Sequence, residues 1–434
     1  MRNLYGKKSV LRACHIYRML KTHARGKHIS FHTPGHKAGK WDITELAYSD
    51  NLSAPKGCIL QAEKDIATIL GAEKSFILTD GSTSGVFSML FAVKKLGAKC
   101  VLTSCNSHKS VFNACAVLGL NVLTFENTSA ERIPLPITEH ALGENFEKAD
   151  AVVLTCPDYY GNIADLSAIA ARCQKANKML LIDGAHGGHL HFQKEIYAGS
   201  YADFWVDGVH KSLPALTQGA VVSAKSKVGA NALYEGVQYF RTTSPSYPIM
   251  ASVEYAVKYP RNIKMETRVR AFAEKFQDRI YLGKDWTKFC VRFGKHAFEV
   301  EKALQKKGIY AEFCDGNVIV FYLSPATKTR EWKALIKTLS RLFLLFPYAP
   351  QKELERIPAP PVFNQNATSE WLGIDECVGK ICAGDCGLFP PCTPLVRKGE
   401  RIEQEKLNLI KKADNAYGVW ENKILVYKEE ENAR

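Results

Sequence analysis

The sequence predicts an α/β protein with a mainly parallel sheet, followed by a smaller α+β region. From about residue 29 to residue 250, short apolar runs alternate with helix-like stretches, which is typical of helices that flank a parallel sheet. The seven candidate strands are residues 75–78, 100–103, 121–125, 151–155, 179–182, 204–206 and 220–223. A helical stretch and the strand-like run 317–322 then follow a polar region at 258–264, and they predict the second, smaller domain.

Three segments follow from this pattern. Residues 8–25 place apolar side chains close to one helical stripe, so residues 1–28 are predicted to form a helical arm that docks on the body or on a partner. We assign residues 29–262 to the large domain and residues 263–434 to the small α+β domain. A chain of 434 residues is long enough for two such domains.

Composition excludes several classes of protein. Hydrophobic residues make up 46% of the chain and charged residues 24%, which is typical of a folded globular protein. No apolar run approaches the length of a membrane span, and the basic first 25 residues lack the apolar centre of a secretory signal, so we expect a cytoplasmic protein. The net charge of +14 comes from scattered lysines and arginines rather than from a basic stripe, so we expect no nucleic-acid partner.

The thirteen cysteines are predicted to be free thiols, because the count is odd and the chain carries no secretory signal. Four of them cluster near the C-terminus, at Cys377, Cys382, Cys386 and Cys392. Their intervals lack the paired spacing of structural zinc sites, so no metal is expected.

An aspartate and a lysine carry the strongest chemical signal. Asp183 ends the apolar run 180–182, and Lys211 follows the run 204–206 between a histidine and a serine. Pyridoxal phosphate chemistry needs both residue types: a lysine forms an imine with the cofactor aldehyde, and a carboxylate keeps the pyridine ring protonated. Ligand sites of open α/β sheets lie at the carboxyl ends of the strands, where Asp183 is placed. The alternative is a helix-capping aspartate and a surface lysine.

Other polar groups follow neighbouring strands. The glycine turn 80–85 precedes a helix-like run, so its hydroxyls and the helix N-terminus form a candidate phosphate site with Ser82, Thr83 and Ser84, although the segment could equally be an ordinary helix cap. His108 could stack on a pyridine ring. His210 could contact phosphate or substrate, and His186 lies close enough in sequence to Asp183 to brace it.

These segments together resemble the ornithine/lysine/arginine decarboxylases of the aspartate aminotransferase-type fold, in the short form without an N-terminal wing domain. Residues 31–39 (FHTPGHKAG) and 42–46 (DITEL) are similar to the family's opening motifs, and residues 209–218 (VHKSLPALTQ) are similar to its Schiff-base segment. Residues 376–381 and 389–400 are similar to its closing segments. The resemblance implies fold type I, the cofactor pyridoxal 5′-phosphate, an imine at Lys211 and ring stacking by His108.

The resemblance also implies an oligomer. Residues 242–247, which include Thr243 and Ser244, look like a family loop that reaches the cofactor of the neighbouring subunit. We therefore expect at least a homodimer with shared sites.

The chain departs from the family pattern at four places. Asp80 replaces the usual asparagine, Gly184 the usual glutamate and Gly208 a serine, and the closing motif reads FPPC with Cys392 in place of glycine. These departures put substrate choice and cofactor affinity in question more than the class of reaction.

We therefore expect a decarboxylase that converts arginine, lysine or ornithine to agmatine or a diamine in polyamine metabolism. Either Lys211 or His210 is expected to return a proton to the α-carbon. Glu376 is our candidate for binding the distal cation of the substrate. The alternatives are an aminotransferase or lyase on the same fold, for which Arg397 is a candidate carboxylate ligand, and a weakly catalytic regulatory protein that binds the cofactor.

Overall fold

The computed structural model describes residues 7–37, 39–130, 133–348, 354–357, 368–388, 394–412 and 416–428. Within these ranges, none of the helices combines the length and apolar character that a membrane crossing requires. Part of the predicted closing motif, residues 389–393 with Cys392, lies outside the described residues.

The N-terminal segment forms two helices, α1 (Lys8–Arg12) and α2 (His15–His23), where the sequence predicts one continuous helix. The chain is extended at Cys14, with φ −92° and ψ 120°. The reason for the break is a distant acceptor: the carboxylate of Glu254 accepts the first two amides of α2, at 2.6 and 2.9 Å. The arm is therefore docked on the body by the capping of α2.

Nine strands follow helix α3 (Cys58–Leu70). They are β1 (Lys74–Leu78), β2 (Cys100–Ser104), β3 (Asn121–Phe125), β4 (Asn127–Ala130), β5 (Ile133–Pro134), β6 (Ala151–Thr155), β7 (Met179–Gly184), β8 (Phe204–Asp207) and β9 (Ala220–Ala224). Seven of them form one sheet in the order β1-β9-β8-β7-β6-β2-β3. All neighbours in it are parallel except β9, which runs antiparallel to β1 and β8. The predicted mainly parallel seven-stranded sheet is confirmed.

Helices cover both faces of this sheet. They are α4 (Ser82–Lys95), α5 (Lys109–Leu118), α6 (Asn145–Lys148), α7 (Leu166–Lys175), α8 (Val209–Ser212), α9 (Lys227–Phe240) and α10 (Tyr247–Val257), with 3-10 turns at Glu139–Leu142, Gly188–Phe192 and Ala198–Ser200. One apolar core contains Ile66 of α3 and Trp205 of β8, and the other contains Met89 of α4 and Leu233 of α9. These layers define a doubly wound α/β architecture.

A second sheet lies in the chain after residue 262. It has the antiparallel order β10-β11-β13-β12, from β10 (Ile280–Tyr281), β11 (Lys288–Arg292), β12 (Phe313–Cys314) and β13 (Val318–Tyr322). Helices α11 (Ile263–Lys275), α12 (Ala297–Gln305) and α13 (Thr329–Leu345) belong to the same region, with a 3-10 turn at Gly294–His296. The α+β character predicted for this region is confirmed, while the domain limits at residues 28 and 262 stay predictions.

The remaining elements are short. They are β14 (Leu354–Ile357), β15 (Ser369–Gly373), β16 (Cys386–Leu388), β17 (Pro394–Val396), α14 (Gln404–Lys412), β18 (Ala416–Tyr417), β19 (Val419–Trp420) and β20 (Lys423–Tyr427), with a 3-10 turn at Ile374–Glu376. A small apolar core there contains the thiols of Cys377, Cys382 and Cys386, all buried. In the described part of the chain these three thiols do not come together as a set of metal ligands.

Candidate active site

A cavity of about 610 Å³ lies at the carboxyl ends of strands β2, β6, β7 and β8. Its wall includes the loops that follow these strands, the N-terminus of α4, residues 313 and 315, and the C-terminal residues 388–409 in part. This is the edge at which open α/β sheets bind ligands, because loops from several neighbouring strands converge there.

Lys211 lies in this cavity on the short helix α8, directly after β8. Its Nζ is 3.2 Å from Nε2 of His186 and 5.9 Å from the centre of the Tyr159 ring. The two rings lie toward the same side of the amine, because their centres are only 4.4 Å apart.

Gly184 and Gly208, two positions at which the chain departs from the family pattern, lie where the ends of β7 and β8 come into close contact. A Cβ at Gly208 would lie 2.3 Å from the carbonyl oxygen of Ala185, and a Cβ at Gly184 would lie 2.8 Å from that of Val206. Carbon and oxygen do not approach so closely without a shift of the backbone. Glycine at both positions therefore lets the segment before Lys211 pack directly against the segment after Asp183.

Asp183 ends β7, lines the cavity and is only 3% exposed. Its Oδ1 accepts a hydrogen bond from the amide of Ala185 at 3.1 Å. That amide is the one hydrogen-bond donor that the described residues offer to this carboxylate. A buried carboxylate with a single donor is suited to a cationic ligand group.

The spacing in the sequence suggests that His186 braces Asp183. In the structure, His186 contacts Lys211 instead. Burial, together with the nearby charges of Lys211 and Lys288, holds the pKa of His186 well below its ordinary value. Its Nδ1 is buried and has no hydrogen-bond partner among the described residues. The ring is therefore neutral, and Nε2 accepts from the Lys211 amine.

His108 is the N-cap residue of α5, beside the same cavity. Its Nδ1 accepts from the amide of Ser110 at 3.2 Å, so the proton of the neutral ring is on Nε2. Burial lowers the pKa of His108, and Lys211 adds to that effect against the opposing charge of Asp183. Burial also lowers the pKa of His210, whose Nδ1 donates to the carbonyl of Gly219 at 3.0 Å.

The glycine turn places the N-terminus of α4 at the cavity. Gly81 has φ 88°, which a residue with a side chain rarely adopts, and no side chain caps the first turn of α4. Ser82 and Thr83 line the cavity. Ser84 does not, because its hydroxyl donates to Oδ1 of Asp80 at 2.9 Å.

Several predicted site residues lie away from this cavity. Oδ2 of Asp80 accepts the amide of Thr242 at 2.9 Å, which ties the loop 242–247 to the glycine turn, yet Thr243 and Ser244 are not part of the cavity wall. Glu376 belongs to a 3-10 turn and does not line the cavity either. Three other acidic side chains of the C-terminal region do, at Glu400, Glu403 and Glu405.

A group of charged residues behind His186 was not predicted from the sequence. Lys288 and Asp285 are fully buried as an ion pair of 3.2 Å, and Nζ of Lys288 donates to the carbonyl of His186 at 3.4 Å. Burial would raise the pKa of Asp285, but the nearby His189 and Lys288 hold it well below its ordinary value. No local pattern marks these residues.

Tyr159 was not predicted either, although a signal exists for it. It lies in the loop after β6, at the carboxyl edge of the sheet, and its ring is 4.4 Å from the ring of His186. The rule that placed Asp183 at this edge applies equally to the loop after β6.

These features define the class of protein as the aspartate aminotransferase-type fold, fold type I, with a site typical of an enzyme. The class follows from the sheet order, the lysine after β8, the buried aspartate at the end of β7 and the uncapped N-terminus of α4. The particular family follows from comparison. The chain belongs to the Orn/Lys/Arg decarboxylase family, because the model of that family's major domain matches residues 14–289.

Individual relatives agree with this assignment. The chain is 28% identical to the uncharacterised protein YaaO of Bacillus subtilis, over 96% of this chain and 99% of the relative. It is 26% identical to the arginine decarboxylase of the same organism, over 91% and 92%. Among solved structures, the lysine decarboxylase LdcF of Francisella novicida has the same fold, with a TM-score of 0.75, 18% identity and coverage of 95% of this chain and 80% of that one.

Proposed function

We propose that this protein is a pyridoxal phosphate-dependent decarboxylase that converts arginine, lysine or ornithine to agmatine or a diamine, as a step of polyamine metabolism. One observation carries the proposal. The amine of Lys211 lies 3.2 Å from a neutral, buried imidazole in a cavity that also contains the Asp183 carboxylate. Family membership supports the reaction class.

The residues of the cavity fit the cofactor. The uncapped N-terminus of α4 offers backbone amides and the hydroxyls of Ser82 and Thr83 to a phosphate. Asp183 offers a buried carboxylate to a protonated pyridine nitrogen, and His108 offers an imidazole beside it. Pyridoxal phosphate would supply an aldehyde for the substrate amine and an electron-accepting ring for the bond that breaks.

The chain's own groups would handle the proton. Decarboxylation breaks the bond between the α-carbon and the carboxylate carbon and releases carbon dioxide. A proton must therefore take the place of the carboxylate on the α-carbon. Nζ of Lys211 is the group suited to donate it, because its neighbour His186 is neutral and accepts a hydrogen bond from that amine. The ring of Tyr159 lies 5.9 Å from the amine and 4.4 Å from the ring of His186, so the two rings together limit access of water to that side of the amine.

The distal cation of the substrate needs acidic partners. Glu400, Glu403 and Glu405 provide three carboxylates in the wall of the cavity. Glu400 is largely buried, with 15% of its side chain exposed. Its Oε2 lies 3.5 Å from Nζ of Lys406. We propose these residues, in place of Glu376, for recognition of the ammonium or guanidinium group.

We also propose a homodimer with shared sites. In one protomer, Ile29 is 88% and Phe31 is 93% exposed, within a segment that resembles the family's opening motif. Thr243 and Ser244 lie outside the cavity of their own chain, which leaves them available to a neighbour. Light scattering tests the dimer. Co-refolding of a Lys211→Ala chain with a Ser244→Trp chain tests sharing, since random pairing should restore about a quarter of the wild-type activity.

The deciding experiment measures carbon dioxide release with arginine, lysine and ornithine in the presence of pyridoxal phosphate. Wild type should release carbon dioxide from at least one substrate, and Lys211→Ala should not. Lys64→Ala, which removes an exposed lysine on α3, is the control and should behave as wild type. A wild-type protein that retains the cofactor through gel filtration but releases no carbon dioxide from any of the three would refute the proposal. Formation of a keto acid would indicate the aminotransferase alternative.

A further inference from the structure

A buried network of charged side chains joins the turn after β7 to the start of β11. Asp285 and Lys288 are both 0% exposed, and Nζ of Lys288 lies 3.2 Å from Oδ2 of Asp285. Oδ1 of Asp285 lies 2.8 Å from Nε2 of His189, and it accepts from the amide of Thr287 at 2.9 Å and from its hydroxyl at 2.7 Å. Asp285 thus has polar neighbours at both oxygens and fixes the ammonium group of Lys288 in one place.

Lys288 reaches from this network to the backbone of His186. Its Nζ donates to the hydroxyl of Thr287 at 3.0 Å and to the carbonyl of His186 at 3.4 Å, and it lies 4.6 Å from the centre of the Tyr322 ring. The ring of Tyr322 is 5.5 Å from the ring of His186 and meets it edge to face. The ammonium group is therefore held next to the residue whose imidazole contacts the Lys211 amine.

Stability alone does not call for a charged pair at this position. Removing an ammonium group from water costs several kcal/mol, and the attraction to Asp285 must offset that cost. Apolar side chains can often replace a buried ion pair with no loss of stability. A role for the charge of Lys288 in the adjoining site accounts for it better.

The groups around the His186 ring decide whether it binds a second proton. Burial is the largest cause of its low pKa, and the positive charges of Lys211 and Lys288 come next. Lys211 gives up a proton in the proposed reaction, whereas Lys288 takes no part in that transfer and keeps its charge. The charged and titratable groups near the ring are Lys211 and His210 of α8, His108 at the start of α5, Lys288 of β11, Tyr322 of β13 and Tyr159 after β6, with Asp285 and His189 behind Lys288.

We infer that Lys288 is a positioning residue that keeps the imidazole of His186 neutral and oriented toward the amine of Lys211. This inference rests on the proposed function for the role of that amine. A protonated imidazole has no acceptor, so it could not accept a hydrogen bond from Lys211 across the 3.2 Å contact. A constant positive charge beside His186 prevents that protonation whenever the charge of Lys211 changes.

The test follows the protonation of His186 by histidine-selective NMR between pH 5 and pH 8, in the full chain without cofactor. A His186→Gln variant identifies the resonance. Lys288→Met keeps an unbranched side chain and removes the charge, so the midpoint of His186 protonation should move to higher pH by about one pH unit. With pyridoxal phosphate and substrate present, the acidic limb of kcat against pH should move in the same direction.

Variants of opposite sign separate an electrostatic role from a loss of packing. Asp285→Asn removes the counter-charge and leaves the ammonium group, so the midpoint should stay or move to lower pH. Lys284→Met removes an exposed lysine of the same segment and should leave the midpoint unchanged. If Lys288→Met does not fold, Asp285→Asn/Lys288→Met removes both charges and should give a smaller shift to higher pH, because Lys288 is the nearer of the two to His186.

Two results would overturn the inference. One is the same titration of His186 from pH 5 to pH 8 with and without the charge of Lys288, because burial alone would then keep the ring neutral. The other is a shift to higher pH in both Lys288→Met and Asp285→Asn, which would indicate a loosened site that admits water.

The NMR titration needs neither cofactor nor turnover. If the protein releases no carbon dioxide but the midpoint moves in Lys288→Met, the proposed reaction fails and the effect of Lys288 on His186 stands. If carbon dioxide is released and the midpoint does not move, the reaction stands and the role of Lys288 fails.

Discussion

The contact between Gly208 and Ala185 leads to a quantitative prediction for Gly208→Ala. The new Cβ would lie 2.3 Å from the carbonyl oxygen of Ala185, so the two segments must separate by about 0.7 Å to reach 3.0 Å, and by about 1.1 Å to reach ordinary contact at 3.4 Å. The backbone of Gly208, with φ −77° and ψ 75°, needs no glycine for its dihedral angles. The effect is therefore one of space alone.

The separation should affect stability and activity together. Overpacking of this kind costs about 1–3 kcal/mol of unfolding free energy. The carbonyl of Gly208 accepts the amide of Lys211 at 2.9 Å, and the amide of Ala185 donates to Asp183, so both functional side chains move with the two segments. A displacement near 1 Å in an active site lowers the rate by roughly 100-fold.

Urea unfolding and carbon dioxide release measure these two effects. The control is Gly188→Ala, because a Cβ there would find its three nearest atoms at 3.5, 3.5 and 3.6 Å, which is ordinary contact. It should leave stability and activity unchanged. A Gly208→Ala protein with an unfolding free energy within about 0.5 kcal/mol of wild type and full activity would refute the reasoning.

Two further predictions concern buried carboxylates outside the cavity. Burial raises the pKa of Asp207 to about 7, so the folded state holds this proton more tightly than the unfolded chain, and stability falls as pH rises from about 4 to about 7. Asp207→Asn keeps an acceptor for the hydroxyl of Tyr197 but cannot ionise, so its unfolding free energy should not show this fall. The fall in the wild type is at most about 4 kcal/mol. Urea titrations across that pH range would detect it as a difference between the two proteins that changes with pH. Glu254→Gln weakens the cap on the amides of His15 and Ile16 and should cost about 1–3 kcal/mol and speed cleavage of the N-terminal arm in limited proteolysis.

For each of these two predictions, one result would contradict the reasoning. A constant stability difference between Asp207→Asn and wild type from pH 4 to pH 7 would mean that Asp207 is already ionised across that range. An unchanged rate of arm cleavage in Glu254→Gln would mean that apolar contacts of α2, such as those of Leu20, hold the arm without the cap.

Local patterns in the sequence were sufficient to predict the strands of the large sheet. The apolar run before Asp183 predicts a strand because a parallel strand covered on both faces needs apolar side chains at successive positions, and β7 is buried from Leu180 to Gly184. The glycine turn likewise predicts the start of α4, since a positive φ at Gly81 and the following hydroxyls are short-range features.

The arm and the histidine cluster show where local patterns fail. The apolar stripe of residues 8–25 continues through Cys14, yet the helix ends before it because Glu254, far along the chain, caps a new helix. Spacing placed His186 beside Asp183, whereas the packing of β8 against β7 brings Lys211 to it from 25 residues away.

The sequence by itself determined the fold class, the lysine and aspartate pair and the helix N-terminus beside them, because each depends on residues that are neighbours in the chain. Only the tertiary structure decided which charges share the cavity: Arg397 and Glu400 line it and Glu376 does not. The physical reason is that burial and pairing of a charge depend on segments that meet only when the chain folds, and no local pattern records which segments meet.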